Sequence, residues 1–170
     1  SEINSGLYHE ADKNFLEEMY PVSDKAISFV CSMQTKHGDF LWALNEEGLK
    51  LDDSLLTGCS AIYKSLECFC AIKKILGHDS KELEKIKLSL KSAILNKPER
   101  FDRRWKSKDR YSMDWYYPIL CGVVKGEGAK IRFNQKFNEF VVEGLGCKCV
   151  VDEPWVTVAE SAELVIALAA

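Results

Sequence analysis

The chain has 170 residues, 46% of them hydrophobic and 29% charged, with 23 basic against 26 acidic side chains for a formal charge of -3. That length and composition predict one folded domain with a real core and exclude intrinsic disorder. So slight a charge, with its one basic cluster at Arg100 to Arg110 interrupted by Asp102 and Asp109, argues against a nucleic-acid binder.

The first helix is expected over 7–20, with Leu7, Tyr8, Ala11, Phe15, Leu16 and Met19 on an inward stripe and Pro21 just past its end. A second helix is expected to start after Ser23, read as its cap, and to run to about Gln34. A long apolar helix is expected over 54–76, buried on more than one side, and an amphipathic surface helix over 80–96. An apolar helix over 112–125, with Ser112 as cap and Pro118 able to kink it, is followed by an amphipathic helix over 128–142 and an Ala-rich apolar one over 157–169.

The connectors alternate. Long ones run over 35–53, 98–111 and 143–155, and short ones are Gly77-His78-Asp79 and Gly126-Glu127-Gly128. Surface helices precede the long connectors and buried helices follow them, so the elaborate loops collect at one end of the array and build a functional face there.

The expected architecture is all-α: an array of αα-hairpins, a partial α/α toroid of about seven helices, with short β segments near Asp39 to Ala43 and Lys148 to Val151. It forms a single domain over 1–170. The first helix lacks an outer partner and the last has no C-cap, which leads us to expect either a longer polypeptide or self-association to complete the toroid. No apolar run reaches the roughly 20 residues of a membrane span and no signal-peptide pattern is present, so a soluble, cytoplasmic protein without a membrane span is expected. Seven cysteines, an odd number, with Cys59, Cys68, Cys70 and Cys121 in apolar helical stretches, read as buried free thiols.

Candidate site residues concentrate at the loop-rich end. Asp114 opens an apolar helix beside Trp115, Tyr116 and Tyr117, where free amides and the positive end of the helix dipole meet a carboxylate. Asp114 is a candidate catalytic acid, with Trp115 and Tyr116 as pocket walls; N-terminal-turn satisfaction and core packing are the plainer readings. Asp52 and Asp53 precede another buried helix, where capping competes with catalysis or binding. Trp155, beside Asp152 and Glu153, introduces the last helix as a third pocket aromatic.

Glu160 lies within an otherwise apolar stretch and must be paired or face a water-filled cavity. Its expected partners come from the middle connector, Arg103, Arg104, Arg110 or Lys108, with Arg104 and Arg110 also candidates for substrate binding. His9, His37 and His78 are scattered and match no zinc-site arrangement, so no metal and no cofactor are expected.

Gln34-Thr35-Lys36-His37-Gly38-Asp39-Phe40 resembles the Q-x-x-x-G-x-W repeat of the prenyltransferase and squalene cyclase superfamily, with Phe40 in place of Trp. The stretches around Leu55 to Gly58, Tyr111 to Pro118 and Pro154 to Glu160 look like bacterial prenyltransferase-like repeat proteins. The resemblance implies the α/α toroid and, as first expectation, a transferase or cyclase acting on an isoprenoid-like small molecule. Its D-x-D-D acid would fall on Lys50-Leu51-Asp52-Asp53, with Asp52 in the acid's place and Lys50 replacing the first Asp. Gln34, Gly38 and Phe40 are read as structural. Two alternatives stand beside it. One is a carbohydrate-active toroid of glycosidase or lyase type using Asp114 and Glu160 as paired carboxylates, and the other is a non-enzymatic helical-repeat binding module.

Overall fold

A computed structural model describes residues 2–169, with side chains from Asp12 onward; Leu7, Tyr8 and Ala11 of the expected stripe, and His9, lie outside the described side chains. Among the described residues six α-helices form: α1 Glu2–Ser32, α2 Leu56–Ile75, α3 Lys81–Asn96, α4 Ser112–Leu120, α5 Glu127–Phe140 and α6 Val158–Ala169. A 3-10 turn covers Pro98–Arg100, and three short strands, β1 Val141–Val142, β2 Gly146–Lys148 and β3 Val156–Thr157, form an antiparallel sheet in that order.

The count is six because the first two expected helices are one. Pro21 lies inside α1, and Ser23, expected as a cap, is mid-helix. Proline deletes one backbone hydrogen bond and crowds the preceding turn, a cost borne more easily here because its ring is exposed. Phe15 and Met19, assigned to the inward stripe, are 61% and 38% exposed.

The other boundaries move for local reasons. Helix α4 stops at Leu120 because Gly122 takes a left-handed φ of 74° and the amides of Val123 and Val124 fold back on the Pro118 carbonyl at 2.9 Å. Val141 and Val142 leave the helical pattern to pair with Cys147 and Gly146, as suits two β-branched residues. The segment 39–43 contributes only a bridge, Gln34 with Phe40, whereas in 148–151 Lys148 ends β2 opposite Val156 and Val150 bridges to Tyr111.

Helix α2 packs on α1, α3 and α4, and α4 packs on α2, α5 and α6, so α2, α4 and α6 make a row of neighbours flanked by the amphipathic helices. One apolar cluster gathers Met33, Phe40, Tyr63, Leu66 and Leu90, and a second gathers Trp115, Tyr116, Phe140, Cys147 and Leu164. All seven cysteines are free; Cys59, Cys70 and Cys121 are buried as expected, but Cys68 is exposed. The connectors keep their alternation: 33–55, 97–111 and 141–157 are long, 76–80 and 121–126 short.

The turn after α1 shows why the Gln-Gly-aromatic pattern exists. The Gln34 side-chain amide donates to the carbonyls of Gly38 and Ile86, both at 3.1 Å, stapling the end of α1 to α3. Gly38 has φ 99°, and a Cβ there would stand 2.5 Å from the Ser89 carbonyl oxygen. Phe40 is 1% exposed. These three residues are structural.

Candidate functional site

The first and second long connectors are held together by buried charge. The turn at Gly38 aims Asp39 inward, where it is fully buried and accepts from Thr35 Oγ1 at 2.5 Å, Ser54 Oγ at 2.7 Å, Arg100 Nε at 3.0 Å and Arg103 at 3.0 Å. Burial alone would raise its pKa, but hydrogen bonds from Arg100, Thr35 and Ser54, with the Arg100 charge, outweigh it and hold the carboxylate well below its ordinary range. Asp39 was not among the sequence candidates; its only signal is an acid placed between a turn glycine and a core aromatic.

Asp53, also buried, is neither a helix cap nor open to a ligand. Its oxygens accept from the backbone N–H groups of Ser54 and Arg103 at 2.8 Å and Arg104 at 3.2 Å. The expectation of a cap at Asp53 or Ser54 therefore gives way to a loop-to-loop tie, and Leu55 takes the N-cap position. Asp52, one residue earlier, is exposed and pairs with Arg103 at 2.9 Å and Arg104 at 3.6 Å. Its hydrogen bond and charge contact with Arg103 hold its pKa low, so it is ionised near neutrality and has no proton to give as a general acid. The structure thus brings Asp52, Asp53 and Arg104 together, with Arg104 paired to Asp52 rather than to its expected partner Glu160.

Beside this ion cluster stand two tryptophans. The Trp42 N–H donates to the Asp53 carbonyl, and Trp105 follows Arg104 in the chain. Their rings meet edge to face with centroids 5.4 Å apart.

Asp114 occupies a different hollow. A cavity of about 290 Å³ is lined by Asp102, Ser107, Asp114 and Arg132, with Leu56 and Phe101 among its apolar walls. Burial, then the charge of Asp102, pushes the Asp114 carboxyl up to about 6. Burial likewise raises Asp102 and lowers Arg132, against the opposing charge of Asp114 in the latter case. Asp102 takes a left-handed φ of 55°; one carboxylate oxygen accepts from the Lys108 N–H at 2.7 Å and the other is buried without a partner. Arg132 donates to the backbone carbonyls of Asp114 at 2.8 Å and Trp115 at 2.7 Å.

Sequence reasoning missed Asp102 and Arg132. Asp102 is expected only as an interruption of a basic cluster and Arg132 is not singled out; the packing of α4 on α5 brings Arg132 to Asp114, and the second connector brings Asp102.

Glu160 does not line that cavity. It accepts from the Thr157 hydroxyl in its own turn, which holds its pKa low. None of its expected basic partners reaches it: Arg103 and Arg104 are taken by the acids above, and Arg110 pairs bidentately with Asp152 at 2.7 Å.

Trp115 and Tyr116 belong to the core, 3% and 0% exposed, rather than to a pocket surface. Trp115 Nε1 donates to the Arg132 carbonyl at 2.7 Å. Tyr116 and Tyr117 both donate to Glu163, at 2.6 and 3.1 Å, tying α4 to α6. Burial and that carboxylate push Tyr117 up to about 12. Trp155 is 57% exposed, away from the core. Among the described residues no group of three His, Cys, Asp or Glu side chains could hold a metal ion, and no helix is long and apolar enough to cross a membrane.

The chain is 45% identical over 170 residues, 98% of its length, to an MMP endo-(1,4)-3-O-methyl-alpha-D-mannosidase of Mycolicibacterium hassiacum, of which it spans 46%. No protein-family model matches the chain. The relative is a glycosidase, and this overturns the expected kinship with the prenyltransferase and squalene cyclase superfamily along with the transferase or cyclase activity drawn from it. The physical reason lies in the motif itself: Gln34, Gly38 and Phe40 close a connector between helices and carry no reaction chemistry. The carbohydrate-active alternative fits the finding better.

Proposed function

We propose that this chain is part of a glycoside hydrolase that cleaves internal (1,4) linkages in a chain of 3-O-methylated α-mannose units, built on a partial α/α toroid whose long connectors face the substrate. The observation that carries the reading is 45% identity sustained over 98% of the chain to an endo-mannosidase of that specificity.

Glycoside hydrolysis asks for one carboxyl group that arrives protonated and a second that is ionised. Asp114 and Asp102 suit that demand, since they line one cavity and each is made a weaker acid by burial. Mutual repulsion favours one shared proton on such a pair. Asp114, at about 6, is the group that holds a proton near neutrality and gives it to the leaving oxygen. Asp102 is the ionised partner, and Arg132 steadies the charge. The exposed Asp52 and Arg104, with Arg110 and Trp155, lie on the connectors where sugar hydroxyls and ring faces would be met.

The test is an assay of the full-length protein on (1,4)-linked 3-O-methyl-α-mannose oligosaccharides, with products read by mass spectrometry. Internal cleavage that falls at least 100-fold in Asp114→Asn is expected. No cleavage of methylated or plain mannose chains would overturn the reading, and full activity in Asp114→Asn would overturn the assignment of the acid.

A further inference from the structure

The two rim tryptophans are poorly explained by folding. Trp42 and Trp105 remain 44% and 51% exposed, although the connectors that carry them are already joined by the Asp53 bonds to the Arg103 and Arg104 amides. Large apolar side chains left in water at the meeting of two loops mark a recognition surface.

Trp42, Leu55, Trp105 and Lys108 line an open cleft of about 140 Å³, which a sugar ring could meet with one face. The Lys108 ammonium stands 5.2 Å from the Trp105 ring centroid. Trp42 and Leu55 also wall a second, larger hollow of about 320 Å³, lined by Met33, Phe40, Leu44 and Ile62 and almost wholly apolar. The cleft therefore joins two chemistries. Charged hydrogen-bonding groups, Asp52 and Arg104, flank its residues in sequence, while Trp42 and Leu55 are shared with the apolar hollow.

A pyranose ring has an apolar face of C–H groups that suits an indole ring, and hydroxyls at its edge that need charged or polar partners. An unmodified hydroxyl pushed toward Leu55 and Ile62 would lose its hydrogen bonds to water and gain none. A methyl ether there would bury apolar surface instead.

We propose that the cleft lined by Trp42, Leu55, Trp105 and Lys108 is a sugar subsite selective for an O-methylated pyranose, with the methyl ether seated against the apolar side chain of Leu55. This assignment rests on the glycosidase reading for the class of ligand and adds to it the residues that sense methylation. Trp105, with Trp42 set edge-on beside it, offers an indole face to the ring, Lys108 meets its hydroxyls, and Leu55 meets the methyl group.

The test separates binding from turnover. Full-length wild type, Trp42→Ala, Trp105→Ala and Trp105→Phe are titrated calorimetrically with a 3-O-methyl-α-mannose oligosaccharide and with its unmethylated counterpart, and their cleavage kinetics are measured in parallel. Wild type should prefer the methylated chain by about 10-fold, the scale at which a hydrophobic pocket reads a single carbon. Trp105→Ala and Trp42→Ala should lose about 10-fold or more in affinity for it, with the loss appearing in KM rather than kcat, and Trp105→Phe should retain most of it.

Cleavage with unchanged affinity in both Ala variants would overturn the subsite and leave the hydrolase reading standing. Tryptophan-dependent binding without cleavage would overturn the hydrolase reading and leave the subsite standing. Equal affinity of wild type for the two sugars would overturn the methyl-sensing role.

Discussion

The carboxylate of Asp53 accepts the backbone N–H of Arg103 at 2.8 Å, joining two connectors that are fifty residues apart in the chain. Because the same carboxylate also accepts the amides of Ser54 and Arg104, it sets how the loop bearing Trp42 meets the loop bearing Trp105. Replacing it strands three backbone donors. Asp53→Ala should cost about 3 kcal/mol of stability by urea denaturation, whereas Asp52→Ala, at an exposed ion pair, should leave the midpoint unchanged.

Asp39 makes the fold acid-sensitive. Its folded pKa lies below the unfolded value, so its stabilisation is fully present above about pH 4. That stabilisation is lost as pH falls through the folded pKa, because the unfolded chain binds the proton first. Asp39→Ala should destabilise by about 3 kcal/mol, since it leaves the largely buried Arg100 without its counter-charge and takes from Arg103 one of its two acids, Asp52 remaining. It should also flatten the acid limb of stability against pH. An unchanged acid limb would show that other carboxylates govern it.

Asp114 has the opposite sign. Its folded pKa of about 6 lies above the ordinary carboxylate value, so folding is favoured most below about pH 4 and loses stability as pH rises toward 6. Asp114→Asn should remove that slope and raise stability at pH 7 by about 1–3 kcal/mol while lowering activity. Thermal unfolding of both proteins at pH 4.5 and pH 7 checks the sign. A larger deficit of Asp114→Asn at pH 7 than at pH 4.5 would contradict it.

Gly38→Ala should destabilise by about 2 kcal/mol, because the backbone is left-handed at φ 99° and the new methyl group would meet the Ser89 carbonyl. Gly48→Ala, also left-handed at φ 77° but with open space around it, should cost about 1 kcal/mol. Comparing the two melting temperatures separates backbone strain from the clash.

Much of the organisation is legible in the amino-acid order alone. Apolar stripes at helical spacing in 54–76 and 80–96, with Gly77 between them, encode α2 and α3 to within two residues, because a helical period and a left-handed glycine are local properties. Pro21 misled because a proline's local cost is modest against the continuity of a 31-residue helix. The alternation of long and short connectors is legible as well, because it follows from where the helical patterns stop and start along the chain.

What each charge does there was decided by tertiary structure. Asp52 and Asp53 are adjacent in sequence, yet one is exposed in an ion pair and the other is buried on three amides. Asp114 faces Asp102 and Arg132, from the second connector and from α5, rather than Glu160. A carboxylate's ionisation and reach depend on burial and on partners brought from distant segments. Neither is a property of the residue or of its neighbours in the chain, so the connectors could be read from the amino-acid order while the role of each charge on them could not.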